Sequence, residues 1–341
     1  MKSRAVVVPR ADGERARRRF AEAGVLRDDL QIRSDAQEVV LPVRPGKPVT
    51  LDVGWRETEA ELAAVTGSGA QSYRELLEWP EERAALLPRS FDVVGDVVVV
   101  RLPPELEKYG PEIGGALLRF VPAARVVAAD HGVHGTERRR SLVRLAGSGG
   151  YATRHRENGL ELSVDLERAY FSPRLAREHA LVAAAVKPGD RVYDLCCGVG
   201  PFALTIARDG RAARVDAVDS NADAIELLGA SLQRSGFADV VHPHVARVEE
   251  FLPAAGAVER VVLNLPHEGI KYLPLVAPVV RPLGRVYFYE VTERAEAKER
   301  GEAVVSSLGG PGMWTLEETH VVHPYSPLAD LRAFVLERRV G

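Results

Sequence analysis

Apolar and polar positions follow three different rhythms along this chain, and each predicts a different architecture. From Asp12 to Val25, apolar residues recur at helical spacing among arginines, alanines and glutamates, and Glu38-Val39-Val40-Leu41-Pro42-Val43 then reads as a strand. A small N-terminal α/β module over residues 1–67 is expected. Gly67-Ser68-Gly69-Ala70 reads as a linker, and helical spacing runs from Tyr73 to Leu87 with an interruption at Trp79-Pro80.

Residues 68–165 mix the two periods. Phe91-Asp92-Val93-Val94-Gly95 precedes a strand over Asp96 to Leu102, a helix is expected from Pro111 to Phe120, a glycine turn at Gly147 to Gly150, and an alternating strand from Leu160 to Val164. This is a middle α+β domain. Over residues 166–341 the rhythm becomes regular: a helix from Leu175 to Val186, then apolar strands at 191–196, 214–219, 240–245, 260–265 and 285–291, with helical patterns between most of them. Alternation of that kind predicts a parallel, doubly wound, Rossmann-like sheet. Trp314 to Val322 and Leu331 to Arg338 lack a helix between them and are expected to form an antiparallel hairpin at the sheet edge. The fold class is α/β, with the doubly wound domain last.

Composition narrows the picture. A chain of 341 residues accommodates two or three domains, and 46% hydrophobic with 27% charged residues matches an ordinary globular protein with no disordered tract. The apolar run near the start is too short for a signal peptide, and no stretch is long enough to span a membrane, so a cytoplasmic protein, expected to be a monomer, is the reading. Cys196 and Cys197 are adjacent, too close for an ordinary disulfide and without metal-ligand spacing. They read as small strand-end residues, and no metal is expected. A net charge of −3 excludes a globally basic nucleic-acid binder, so any polyanion must be met locally.

The chemistry concentrates after the first apolar strand of the last domain. Val192-Tyr193-Asp194-Leu195-Cys196-Cys197-Gly198-Val199-Gly200-Pro201-Phe202 runs from a strand through a glycine turn into a helix, which lets backbone N–H groups approach a polar ligand closely. The third glycine of a dinucleotide fingerprint is missing. An acid, Asp194, ends the strand before the turn, and a second, Asp219, closes the next strand where a ribose would sit. This suits S-adenosylmethionine better than NAD, with Asp194, Gly198, Val199, Gly200, Pro201, Phe202 and Asp219 as the cofactor-binding set.

Three further features surround that turn. Val261-Val262-Leu263-Asn264-Leu265-Pro266-His267 places an amide and a rigid proline at a strand end, suited to the edge of a planar base or to capping a helix. In Tyr170-Phe171-Ser172-Pro173-Arg174-Leu175-Ala176-Arg177-Glu178, Ser172-Pro173 starts a helix, and Glu178 in its first turns is either a general base or a solvated helix residue. Arg138, Arg139, Arg140 and Arg144, with Arg154 and Arg156, form a basic stretch suited to phosphates or to guanine.

Taken in this order and spacing, Tyr-Phe-Ser-Pro-Arg-Leu-Ala-x-Glu, Gly-Val-Gly-Pro-Phe and Asn-Leu-Pro resemble the archaeal and eukaryotic tRNA (guanine-N1)-methyltransferases that act on position 37. The resemblance extends upstream through Phe91 to Asp96, Leu145-Ala146-Gly147 and Glu157-Asn158-Gly159. It implies an S-adenosylmethionine domain, a middle domain on the anticodon stem-loop, and a first domain at the tRNA elbow. It further implies Glu178 as proton acceptor, Arg138 at the guanine, Asn264 (also in the cofactor set) and Pro266 in the base-pocket loop, and Tyr170 lining it. Arg138, Arg139, Arg140, Arg154 and Arg174 are the candidate RNA contacts. Arg247 stands where methyltransferases usually carry an acid for the adenine amine, and His267 where relatives commonly carry a lysine. Two alternatives stand beside this reading: an aminocarboxypropyl transferase, whose sequences tend to carry Phe-Ser-x-Gly-Asn and lack Asn-Leu-Pro, and a catalytically silent RNA-binding protein.

Overall fold

The computed structural model describes residues 2–27, 30–35, 37–63, 70–135 and 139–340. The linker glycines 67 and 69 and Arg138 lie outside the described residues. The chain divides into two compact units, Met1–Ala85 with Gly115–Pro122, and Leu86–Gly114 with Ala123–Gly341.

In the first unit, Lys2–Pro9 pairs antiparallel with Glu38–Pro42 on one side and Arg56–Glu61 on the other, and Arg33–Ser34 extends the sheet. The central strand was not expected from the sequence, because Val6-Val7-Val8 is a short apolar run without alternation; it is buried on both faces. Helix Gly13–Glu22 buries Gly13, Ala16 and Phe20 on one face, and Phe20 meets Trp55 edge-on at 5.7 Å. The helical pattern over 73–87 does not become one helix. It breaks into a 3-10 turn, Tyr73–Leu76, and a single turn, Glu81–Ala84, because Pro80 lacks an N–H and disfavours helical backbone at Trp79.

The second unit begins with a sheet in the order Asp92–Val94, Val97–Val100, Val126–His134, Arg139–Gly147. The strand expected over 96–102 is Val97–Val100, turned back against Asp92–Val94. Ala152–Glu157 and Leu160–Asp165 then form a hairpin. It is tied to helix Ala222–Ser235 by the Ser163 N–H, which donates to Ser231 Oγ at 2.8 Å.

The large sheet has seven strands in the order Val241–Val245, Arg214–Asp219, Arg191–Leu195, Val258–Asn264, Val280–Glu293, Ala329–Arg338, Trp314–Pro324. The first five are parallel and the last two antiparallel, as the sequence predicts. The chain enters this sheet in the middle, at Arg191–Leu195, works outward to Val241–Val245, and then crosses back to Val258–Asn264. The strand order therefore reverses between Arg191–Leu195 and Val258–Asn264, and ligands of open α/β sheets bind at the carboxyl ends of strands at such a switch point. Among the described residues no helix is long and apolar enough to cross a membrane.

Candidate active site

The strand Arg191–Leu195 is followed by a turn with three left-handed residues. Gly198 (φ 56°) and Gly200 (φ 77°) adopt that conformation freely, while Cys196 (φ 61°) does so with a Cβ, at a cost of about 1–2 kcal/mol. Two bonds hold it there: Cys197 N–H donates to Val218 O, and Gly200 N–H to Cys197 O, both at 3.0 Å. Gly200 also leaves no room for a side chain, since a Cβ would stand 2.5 Å from Leu228 Cδ1. Pro201 then opens helix Pro201–Asp209 from its first turn. Both cysteines are free thiols, as their spacing predicts. Burial, with Asp194 and Asp219 beside them, pushes both thiols up, so neither is a nucleophile at neutral pH.

A cavity of about 440 Å³ opens over this turn. Gly198, Val199, Pro201, Asp219, Asn264, Pro266 and Tyr170 all line it, so the structure brings together residues that lie far apart in the sequence. Asp219 Oδ2 accepts from Gly198 N–H at 2.8 Å and Oδ1 from Asn221 N–H at 2.9 Å. Asn264 Oδ1 is buried without a hydrogen-bond partner, an acceptor set against the cavity and suited to a ligand's N–H. An acid for ribose hydroxyls, a free amide oxygen and a turn that admits close backbone approach fit S-adenosylmethionine. Cys196, Arg247 and His267 also line the space. The Arg247 guanidinium is engaged by Glu249 at 2.9 Å, and His267 Nε2 lies 3.3 Å from the Tyr325 hydroxyl.

Asp194, Gly200 and Phe202 support this turn from behind and are absent from the cavity wall. Asp194 is fully buried, and its Oδ2 accepts the Ala203 N–H at 3.1 Å, fastening the helix to the strand. Burial pushes its carboxyl up to about 8. Phe202 packs its ring against His179 at 4.4 Å and Tyr289 at 5.5 Å.

Glu178 is 4% exposed, which rules out a solvated helix residue. It sits in the first turn of helix Ala176–Ala185. The Tyr289 hydroxyl donates to its Oε2 at 3.2 Å, and His320 Nε2 lies 3.1 and 3.2 Å from its two oxygens. Sheet register explains where this places it. Tyr289, Ala333 and His320 form one cross-strand row, and Val291, Leu331 and His323 form the next row towards the strand end. The second row lines the cavity, so Glu178, bonded to Tyr289 and His320 of the first row, stands one row behind its wall. Neither Tyr289 nor His320 was visible to sequence reasoning.

The candidate RNA arginines separate into buried and exposed sets. Arg140 is buried: its guanidinium donates to Asp130 Oδ2 at 2.7 Å and Phe171 O at 2.9 Å and lies over the Tyr170 ring at 5.1 Å. It fixes the cavity-lining tyrosine and presents no open face to solvent. Arg139 donates to Asp223 at 2.9 Å and Arg174 to Asp92 at 2.8 Å. Arg154 and Arg156, with side chains 67% and 86% exposed, share Glu161 with Arg234.

A doubly wound sheet with this strand order, and a glycine turn and ribose acid at its switch point, defines an S-adenosylmethionine-dependent methyltransferase. The chain is 34% identical to tRNA (guanine(37)-N(1))-methyltransferase Trm5b of Pyrococcus abyssi over 286 residues, 84% of this chain and 83% of that protein. It belongs to the tRNA (guanine(37)-N(1))-methyltransferase family. The TRM5/TYW2 methyltransferase domain matches residues 153–310, the TYW2 N-terminal domain 73–150, and the tRNA methyltransferase 5 N-terminal domain 5–49. The crystal structure of Pyrococcus abyssi Trm5b superposes with a TM-score of 0.73 at 29% identity, covering 99% of this chain and 100% of that one. A structure of aTrm5 in complex with tRNALeu superposes with a TM-score of 0.70 at 27% identity, covering 98% and 99%.

Proposed function

We propose that this protein, a cytoplasmic monomer, transfers a methyl group from S-adenosylmethionine to N1 of guanosine 37 in the anticodon loop of tRNA. The observation that carries this reading is the single cavity that joins the cofactor elements Gly198 and Asp219 to Tyr170, Asn264 and Pro266. A guanine in a loop is already partly unstacked, so drawing it into such a space costs less than from a duplex. We assign residues 1–67 to the tRNA elbow, 68–165 to the stem-loop and 166–341 to catalysis; the matched domain families span 5–49, 73–150 and 153–310.

The bound cofactor supplies an electrophilic methyl group. The protein's own residues do the rest. Neutral guanine carries a proton on N1, and the carboxylate of Glu178 takes it as the N1–methyl bond forms. Asn264 offers its unpartnered carbonyl oxygen to an N–H of the base or cofactor, Pro266 keeps that loop rigid, and Tyr170, fixed by Arg140, packs on the ring. Arg138 stabilises the charge that grows on O6 as N1 loses its proton. Because Glu178 lies one row behind the cavity wall, the base enters past Val291 to meet it. Catalytic hydrogen bonds commonly tighten only in the substrate complex.

The reading is tested with labelled cofactor and paired transcripts carrying guanosine or adenosine at 37, using the parental protein and Glu178→Gln at saturating enzyme. Label on the guanosine transcript alone, with a single-turnover rate lowered by about 10²–10⁴-fold in the variant, is expected. Equal labelling of both transcripts would contradict it.

A further inference from the structure

Glu178 is a buried carboxylate whose only cationic candidate partner among the described residues is His320. The far side of that imidazole is also occupied. His320 Nδ1 lies 2.8 Å from Glu318 Oε1, so the ring is held between two carboxylates, one buried and one 62% exposed at its side chain. A neutral imidazole has one donor and one acceptor nitrogen, and an ionised carboxylate only accepts. Two carboxylates on one ring are therefore both satisfied only by the doubly protonated, positively charged form. A buried carboxylate needs such a partner, because removing its charge from water is costly unless it is paired and hydrogen-bonded.

From this chain of contacts we infer that His320, clamped by Glu318, is a positioning residue for the methyl transfer: it orients Glu178 and keeps it ionised, hence able to accept the N1 proton. The inference rests on Glu178 being the base. In the step it serves, the N1–H bond breaks as an O–H bond forms on Glu178, the methyl group takes the vacated place on N1, and the proton passes to water once product has left. His320 touches neither the base nor the cofactor and acts through Glu178. The other groups near Glu178 leave that task to it. Tyr289 is held protonated, since burial and the Glu178 charge push its hydroxyl well up, and it supplies a neutral hydrogen bond. His179, the next residue on the same helix, is taken up by Glu157 at 2.5 Å. Asp194, two strands away from Tyr289 in the sheet, has its carboxyl pushed up to about 8 by burial and is an uncharged acid below that pH.

The test is single-turnover methylation of a guanosine-37 transcript across the pH range in which the full-length protein is folded, for the parental protein, His320→Gln, Glu318→Gln and Glu178→Gln. His320→Gln keeps an N–H for Glu178 but removes the charge. Its rate is expected to fall on the order of tenfold in the acid range, with the acid limb of the profile moved to higher pH and tRNA and cofactor affinities unchanged. Glu318→Gln, an exposed change that leaves the buried contacts in place, should move the limb the same way by less. If both profiles coincide with the parental one while Glu178→Gln is inactive, the role of His320 is refuted and the base survives. If Glu178→Gln itself methylates at the parental rate, the assignment of the base fails, and that of His320 with it.

Discussion

The backbone N–H of Gly198 donates to Asp219 Oδ2 at 2.8 Å, so the glycine turn and the acid closing the neighbouring parallel strand form one unit. Asp219 thus fixes the turn and also lines the cavity. Asp219→Ala removes both contributions. Its affinity for S-adenosylmethionine is expected to fall by at least the about 1.5–3 kcal/mol of a charge-assisted hydrogen bond. Titration calorimetry of the two proteins measures the difference.

Gly200→Ala should damage the same turn by another route. The new Cβ would sit in left-handed backbone and 2.5 Å from Leu228 Cδ1. The conformation costs about 1–2 kcal/mol and the forced contact about 1–3 more. A lower midpoint in chemical denaturation, together with weaker cofactor binding, is the expected outcome. A variant as stable as the parent would show that Leu228 and the turn relax freely.

Elements near these glycines were legible in the sequence, because parallel strands buried on both faces read as apolar runs that end at turn residues. Val261 to Leu263 is such a run, and Val192 to Leu195 is one interrupted only by Asp194. Arg139–Gly147 and Ala152–Glu157 were not legible: each leaves much of its length exposed and carries arginines there, so no apolar rhythm marks them. The site divides the same way. Gly198, Asp219 and Asn264 announce themselves as strand-end residues, whereas the partners of Glu178 lie 111 and 142 residues away and meet it only through the register of the last three strands. Arg140 reads in sequence as a candidate RNA contact and is instead buried, with Asp130 and Phe171 O accepting from its two terminal nitrogens.

Asp194 gives the protein a pH-dependent stability. Its folded-state value of about 8 lies above the ordinary 3.8, so the folded protein binds the extra proton between those limits. The resulting contribution is fully present below about pH 4 and is lost as pH rises through about 8. Asp194→Asn cannot titrate. Urea denaturation of the parental protein at mildly acidic and mildly alkaline pH should show a loss of stability with rising pH that is smaller in the variant; equal slopes would mean that Asp194 is ionised when folded.

Arg154, Arg156 and Arg234 converge on Glu161, with N···O separations of 3.3, 3.6 and 3.4 Å, and leave uncompensated positive charge on an exposed groove. If this groove meets tRNA phosphates, Arg154→Ala and Arg156→Ala should each weaken tRNA binding and reduce the log–log salt slope by a little under one unit. The bound single-turnover rate should change little. Arg140→Ala should instead destabilise the fold by about 3–5 kcal/mol, since it strands the Asp130 charge. Binding measured across a salt series, beside denaturation curves, separates the two classes.

Methyl transfer to N1 of guanosine 37 is the reaction proposed for the cavity over Gly198 and Asp219. Mass spectrometry of a guanosine-37 tRNA transcript after incubation with the protein and S-adenosylmethionine, with the modified nucleoside mapped in the anticodon loop, decides whether it occurs. The expected result is the gain of one methyl group, on N1 of guanosine 37. A methyl group at any other position, transfer of an aminocarboxypropyl group, or unmodified tRNA in the presence of bound cofactor would contradict it.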